Sequence, residues 1–162
     1  MREQLRHYID VTMGSEAEQF ELLGDGITSL NEEMNPEEET KHYIHMSKAS
    51  NKVKAYQRTF QIDKEDCVDD EVQTWIDKLV DDLPTGASAN TSFVRFRLKD
   101  AVADKAGTYN AIKVPCTVSV SSSGGDGGDY VHNVISVKQS GEDIKGTFDI
   151  KTKTFTATAQ EA

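Results

Sequence analysis

Residues 91–100 read TSFVRFRLKD. Val94, Phe96 and Leu98 alternate with Arg95, Arg97 and Lys99. A period of two is that of a β-strand with one face in a core and the other in solvent or a polar interface. Tyr109 to Val120 repeats the pattern, setting Ile112, Val114, Cys116, Val118 and Val120 against Lys113, Thr117 and Ser119. Pro115 lacks a ladder donor, which predicts an edge or a bulge there. Further strands are expected at 130–138, 147–150 and 155–159. Less regular ones are expected at 8–13, 20–23, 27–30, 43–46 and 56–62. Gly24-Asp25-Gly26 reads as a turn, because glycine supplies the positive φ that tight turns require.

One segment departs from period two. Across residues 69–86, Val72, Trp75, Ile76, Leu79, Val80 and Leu83 recur at helical spacing and form one apolar stripe. Asp69 or Asp70 can cap the start, and Pro84 with Gly86 ends the segment. The spacing predicts a helix over about 70–83 whose core face is Val72, Trp75, Ile76, Leu79 and Leu83. The expected fold is therefore mainly β. Two packed antiparallel sheets, as a sandwich or partly closed barrel, carry one flanking amphipathic helix. No internal repeat or long linker divides the chain, so 162 residues are read as one domain.

The net charge of −10 is uneven. Residues 1–50 hold 4 basic and 11 acidic side chains, and the peak is NEEMNPEEE, Asn31 to Glu39. This balance opposes that of proteins that grip a phosphate backbone. No apolar run approaches the roughly 20 residues that span a bilayer, so no membrane partner is expected. MREQLRHYID lacks the apolar core of a secretory signal. Cys67 and Cys116 are far apart, with no metal or redox spacing, and read as small hydrophobes.

Three stretches invite a chemical reading. GGDGGDYVH, Gly124 to His132, fits the calcium nonapeptide of parallel β-helices. That motif works by stacking, and here there is one copy between two alternating strands. A flexible hairpin tip is expected, with Asp126 and Asp129 as weak candidates for a loosely held calcium ion. His42 and His45 would point to opposite faces of a strand and imply no third metal ligand. No P-loop, G-x-S-x-G or H-E-x-x-H is present. Neither an enzyme nor a cofactor is expected.

The acidic run remains. From Asn31 it carries Glu32, Glu33, Glu37, Glu38 and Glu39, then returns through Lys48, Lys52, Lys54 and Arg58. A long loop or hairpin over about 31–55, with opposite charge at its two ends, suits docking on a copy of itself.

LGDGITSLNEEMNPEEETKHYI (23–44) and VKAYQRTFQIDKEDCVDDEVQTWIDKL (53–79) resemble the major tail proteins, or tail tube proteins, of long-tailed non-contractile bacteriophages. The first has a strand, an acidic stretch with Asn-Pro and a Tyr-Ile strand start. The second runs from a strand through an Asp-rich turn into an amphipathic helix. The resemblance covers about half the chain.

What the resemblance implies is a structural virion protein. Its copies would form rings, six to a ring, that stack into a hollow tail tube through which DNA passes without specific binding. Partners would be other copies of the chain and the tape-measure, tail-tip and tail-terminator proteins. The site would be the virion tail, assembled in the host cytoplasm. Residues 1–8 would be an arm reaching the next ring, and 31–55 the stacking loop. Contact candidates are then Arg2, Arg6, Glu32, Glu33, Glu37, Glu38, Glu39, Lys48, Lys52 and Lys54. Two alternatives stay open: the inner tube of a contractile tail or injection system, and a monomeric calcium- or ligand-binding β-sandwich module.

Overall fold

In a computed structural model the chain is described at residues 1–14 and 17–158. Among the described residues eleven strands form: β1 Leu5–Asp10, β2 Phe20–Leu22, β3 Ile27–Glu33, β4 Pro36–Lys41, β5 Ser50–Tyr56, β6 Thr59–Glu65, β7 Asn90–Ala101, β8 Thr108–Gly124, β9 His132–Gln139, β10 Ile144–Asp149 and β11 Thr154–Ala157. One helix, α1, spans Glu71–Asp82 between β6 and β7. All ladders are antiparallel. Nine strands make one sheet with the path β2-β1-β7-β8-β9-β6-β3, and β4 and β5 make a separate two-stranded ribbon. The mainly β sandwich with one helix holds. The sheet does not close into a barrel: β2 and β3 end its main path.

β8 organises the sandwich. Along one edge, residues 111–117 pair with β7. Along the other edge, 108–113 pair with β10 and 116–124 with β9. Pro115 marks that fork. It is neither at a sheet edge nor in a bulge, but where the neighbour changes from β10 to β9 and its missing N–H costs no ladder bond. Its carbonyl accepts the Ser140 N–H at 2.9 Å.

The fork gives the fold two cores. In the first, Ile9, Leu30, Phe60, Ile62, Phe93, Val114, Cys116, Ile135 and Val137 meet under α1. In the second, Tyr8, Phe20, Val94, Phe96 and Phe148 cluster on the opposite face of β1 and β7, beside β10. Four consecutive residues of β7, Phe93 to Phe96, are therefore buried. Arg95, expected on the outer face, is inside because it shares the face of Phe93, which the first core covers, while Val94 and Phe96 on the other face have a core of their own. Phe93 meets the Phe60 ring edge-on, with centroids 4.8 Å apart, a geometry worth about 1 kcal/mol beyond its area.

α1 follows its sequence closely. Asp70 caps it by accepting the Val72 N–H at 3.3 Å, and Val72, Trp75, Ile76 and Leu79 are buried. Leu83, expected on the same face, is 61% exposed. It lies past the last turn with φ 44°, in the left-handed cap conformation just before Pro84, and so leaves the helical stripe. The 24–26 turn forms with Gly26 at φ 76°. A Cβ there would collide with the Glu65 carbonyl.

Three further expectations change. Residues 1–8, read as an arm, hold a 3-10 turn at Arg2–Gln4 and the first half of β1, which pairs with β7 from Leu5 onward. Residues 43–46, read as a strand, are the turn at the tip of the β4–β5 ribbon, where the Met46 N–H reaches the Tyr43 carbonyl at 3.0 Å. The last strand ends at Ala157, and Ala159 lies outside the described residues.

Candidate functional site

Among the described residues, the β4–β5 ribbon makes its extensive contacts only within itself. Every residue of β5 is exposed, and on β4 only Glu39 is half-buried. Neither strand packs extensively on the sandwich. A lone two-stranded hairpin is marginal in water, because it buries almost no apolar face. Its two outer edges also present unpaired backbone donors and acceptors. Eleven large apolar side chains are well exposed among the described residues, and five of them, Met34, Tyr43, Ile44, Val53 and Tyr56, lie on or beside this ribbon.

The root of the ribbon is built in the opposite way. Glu32, at the end of β3, has a side chain only 4% exposed. Its Oε1 accepts from Arg58 Nη1 at 2.7 Å, and its Oε2 accepts from Arg95 Nε at 2.8 Å and lies 3.3 Å from His7 Nε2. Arg58 continues to Asp143 Oδ2 at 3.0 Å. One carboxylate thus ties together β1, β3, β7 and the chain entering β6. Asn35, in the left-handed region at φ 46°, turns the chain into the ribbon. Its Nδ2 donates to the Gln57 carbonyl and, at 2.7 Å, to Thr59 Oγ1. The Gln139 side chain accepts from the Arg58 N–H at 3.0 Å and donates to Asp143.

Burial alone works to raise the Glu32 pKa, but the hydrogen bonds from His7 and Arg58 and the charge of Arg95 outweigh it and hold the group at about 2. His7 is 2% exposed, and burial pushes its imidazole below the ordinary value, only partly offset by Glu32. It is neutral near pH 7, with Nε2–H donated to the carboxylate. The Glu32 charge is therefore matched by the two guanidinium groups.

The expected contact residues divide accordingly. Glu32 is not at a surface: its partners are inside this subunit. Glu33 is exposed at the end of β3, Glu37 and Glu38 are exposed on β4 and Lys52 and Lys54 on β5, while Lys48 is exposed at the ribbon's tip. Acidic and basic ends of the run do not stand apart. They lie side by side as β4 and β5, with Glu39 opposite Lys52 and 3.6 Å from Lys54. Arg2 donates to the Leu5 and Leu30 carbonyls and thereby pins the 3-10 turn to β3. Arg6 is half-buried on β1 opposite Phe96.

The other sequence candidates stay apart from the ribbon's root. Asp126 and Asp129 are exposed in the β8–β9 loop, where the Asp129 N–H meets the Asp126 carbonyl at 3.1 Å. His42 and His45 are exposed at the ribbon tip, and His42 Nε2 lies 2.7 Å from the Met46 carbonyl. Among the described residues, no group of three or more His, Cys, Asp or Glu side chains is placed to hold a metal ion. Cys116 is buried, which pushes its thiol up to about 12.

The same fold occurs in a solved tail assembly. A chain in the tail of an empty GTA particle, determined by helical refinement with C6 symmetry, matches over 96% of this chain and 97% of that one, with a TM-score of 0.59 and 12% sequence identity. This chain shares that tail chain's fold. A chain in the six-fold-symmetrised baseplate of the anti-feeding prophage (AFP) aligns over 91% of this chain and 92% of that one, at 7% identity and a TM-score of 0.46. No protein-family model matches the sequence, and no curated protein matches it.

Proposed function

We propose that the protein is a structural subunit of a phage-type tail, whose copies associate as rings that stack into a hollow tube for passage of DNA. The observation that carries this reading is the ribbon. It is an extended two-stranded blade that packs little on its own subunit and rises from a buried ion cluster. A flexible loop would need no such root. A blade that must meet a neighbour in one geometry does, because preorganisation lowers the ordering cost of association. The shared fold with a chain from a C6-symmetric tail supports six copies to a ring. The net charge of −10 suits a conduit that does not retain DNA, since basic contacts to phosphate would hold the strand.

Tail-tip, tape-measure and terminator proteins would be the further partners, and the virion tail the place of action. The direct test shortens the blade. Replacing residues 37–55 by a two-residue Asn-Gly turn removes it and leaves the root intact. The expected variant unfolds at the same urea concentration as the parent and forms no tubes at any concentration at which the parent does. Tubes of ordinary length from the shortened chain would sink the reading.

A further inference from the structure

We propose that the tip of one copy's ribbon docks in the groove beside α1 of a neighbouring copy. This rests on the self-assembly reading above and names the surface that receives the blade. The groove is an open cavity of about 700 Å³ between α1 and the chain that follows β1. Its apolar lining is the half-buried Val11, Met13 and Pro84, over the buried Trp75 and Leu79. No residue of the ribbon lines it within the same subunit.

Two observations select the occupant. The first is charge. Glu71 and Asp82 line the groove with a single lysine, Lys78, and Asp81 is exposed beside it. Asp81 and Asp82 end α1, and its last turn has no basic residue. Acid at a helix C-terminus opposes the helix dipole, so this placement is unfavourable within the subunit and calls for cations from elsewhere. The ribbon tip supplies them. Residues 41–48, KHYIHMSK, carry Lys41, Lys48 and two histidines and no acid.

The second observation is apolar. Tyr43 is 54% and Ile44 107% exposed at the tip, and Leu83 is 61% exposed at the end of α1. A cavity of this size accepts two such side chains. Six residues of β4 extend about 20 Å from the root, enough to reach a neighbour. The contact joins different surfaces of the two copies, so it propagates head to tail rather than closing a dimer.

Charge exchange tests the pairing. Lys41→Glu with Lys48→Glu reverses the tip, and Asp81→Lys with Asp82→Lys reverses the rim. The rim change also improves the helix dipole, so lost assembly in that variant cannot be put down to unfolding. Each reversal is expected to raise the critical concentration for tube growth by about tenfold or more, and the combined chain to return to within about threefold of the parent. A second measurement mixes Ile44→Cys protein with Lys78→Cys protein under mild oxidation. A 44–78 crosslinked heterodimer is expected in the mixture, in excess of the homodimer that either protein forms alone. Parent tubes that neither reversal disturbs, or a combined chain that stays defective, overturn the groove while leaving the tube reading intact. A parent chain that never assembles overturns both.

Discussion

The root of the ribbon and its blade are made of the same residue types and use them in opposite ways. Glu32 is buried, accepts from two arginines and lies beside His7. Five residues later, Glu37 and Glu38 are exposed on both sides of a strand that touches little but its partner. One charge holds the subunit together, and the others are available to something outside it. The difference comes from where the chain crosses the edge of the sandwich, at Met34 and Asn35, rather than from composition. A rigid root under an unsupported blade is the arrangement expected of a docking element whose final order comes from assembly.

The largest effect should come from breaking the root. Glu32→Ala strands Arg95 and leaves Arg58 with Asp143 alone, and removal of one partner from a buried ion cluster costs about 3–5 kcal/mol. Glu38→Ala on the blade should change stability by less than about 0.5 kcal/mol. Urea unfolding of the two variants checks the pair, and similar losses in both would erase the distinction.

Acid should act strongly on the root. His7 has its folded pKa lowered, so its contribution is present above the unfolded value of 6.5 and is lost as pH falls below it. Glu32 has its folded pKa lowered from 4.5 to about 2, so its contribution is complete above 4.5 and disappears as pH falls towards 2. Unfolding midpoints from pH 8 to pH 2.5 should therefore fall in two stages. The lower stage should flatten in Glu32→Gln.

Hydrogen exchange sharpens the contrast further. Amides of β4 and β5 should exchange near the rate of an unprotected hairpin in the monomer, while those of β6 and β9 should report the global stability. Protection of the blade should appear only in assembled protein. The smallest effect belongs to Leu83, an exposed leucine at φ 44°. Leu83→Gly should add about 0.5–1 kcal/mol, because glycine adopts the left-handed cap without a Cβ penalty. An unfolding midpoint unchanged or lowered in that variant would show that Leu83 makes a contact that matters in the monomer.

Much of the fold was legible because its signals are local. The stripe Val72, Trp75, Ile76 and Leu79 is a property of a dozen consecutive residues, and Asp70 stands where a cap belongs. The alternation in β8 is likewise local. Arg95 is not legible because its burial depends on Glu32, 63 positions away in sequence, and on the Phe60–Phe93 core that covers its face of β7. Nothing in NEEMNPEEE separates Glu32 from the glutamates that follow it. Tyr43 and Ile44 have strand-forming side chains but occupy a turn, because the ribbon must reverse somewhere between Lys41 and Ser50. His7 carried no sequence signal: its role appears only once β1 is placed against β3.

The most direct measurement is negative-stain electron microscopy of the purified, concentrated protein at neutral pH. Hollow tubes with a regular axial repeat are the predicted result. Dispersed single particles, persisting to millimolar concentration with the ribbon intact, would contradict the account.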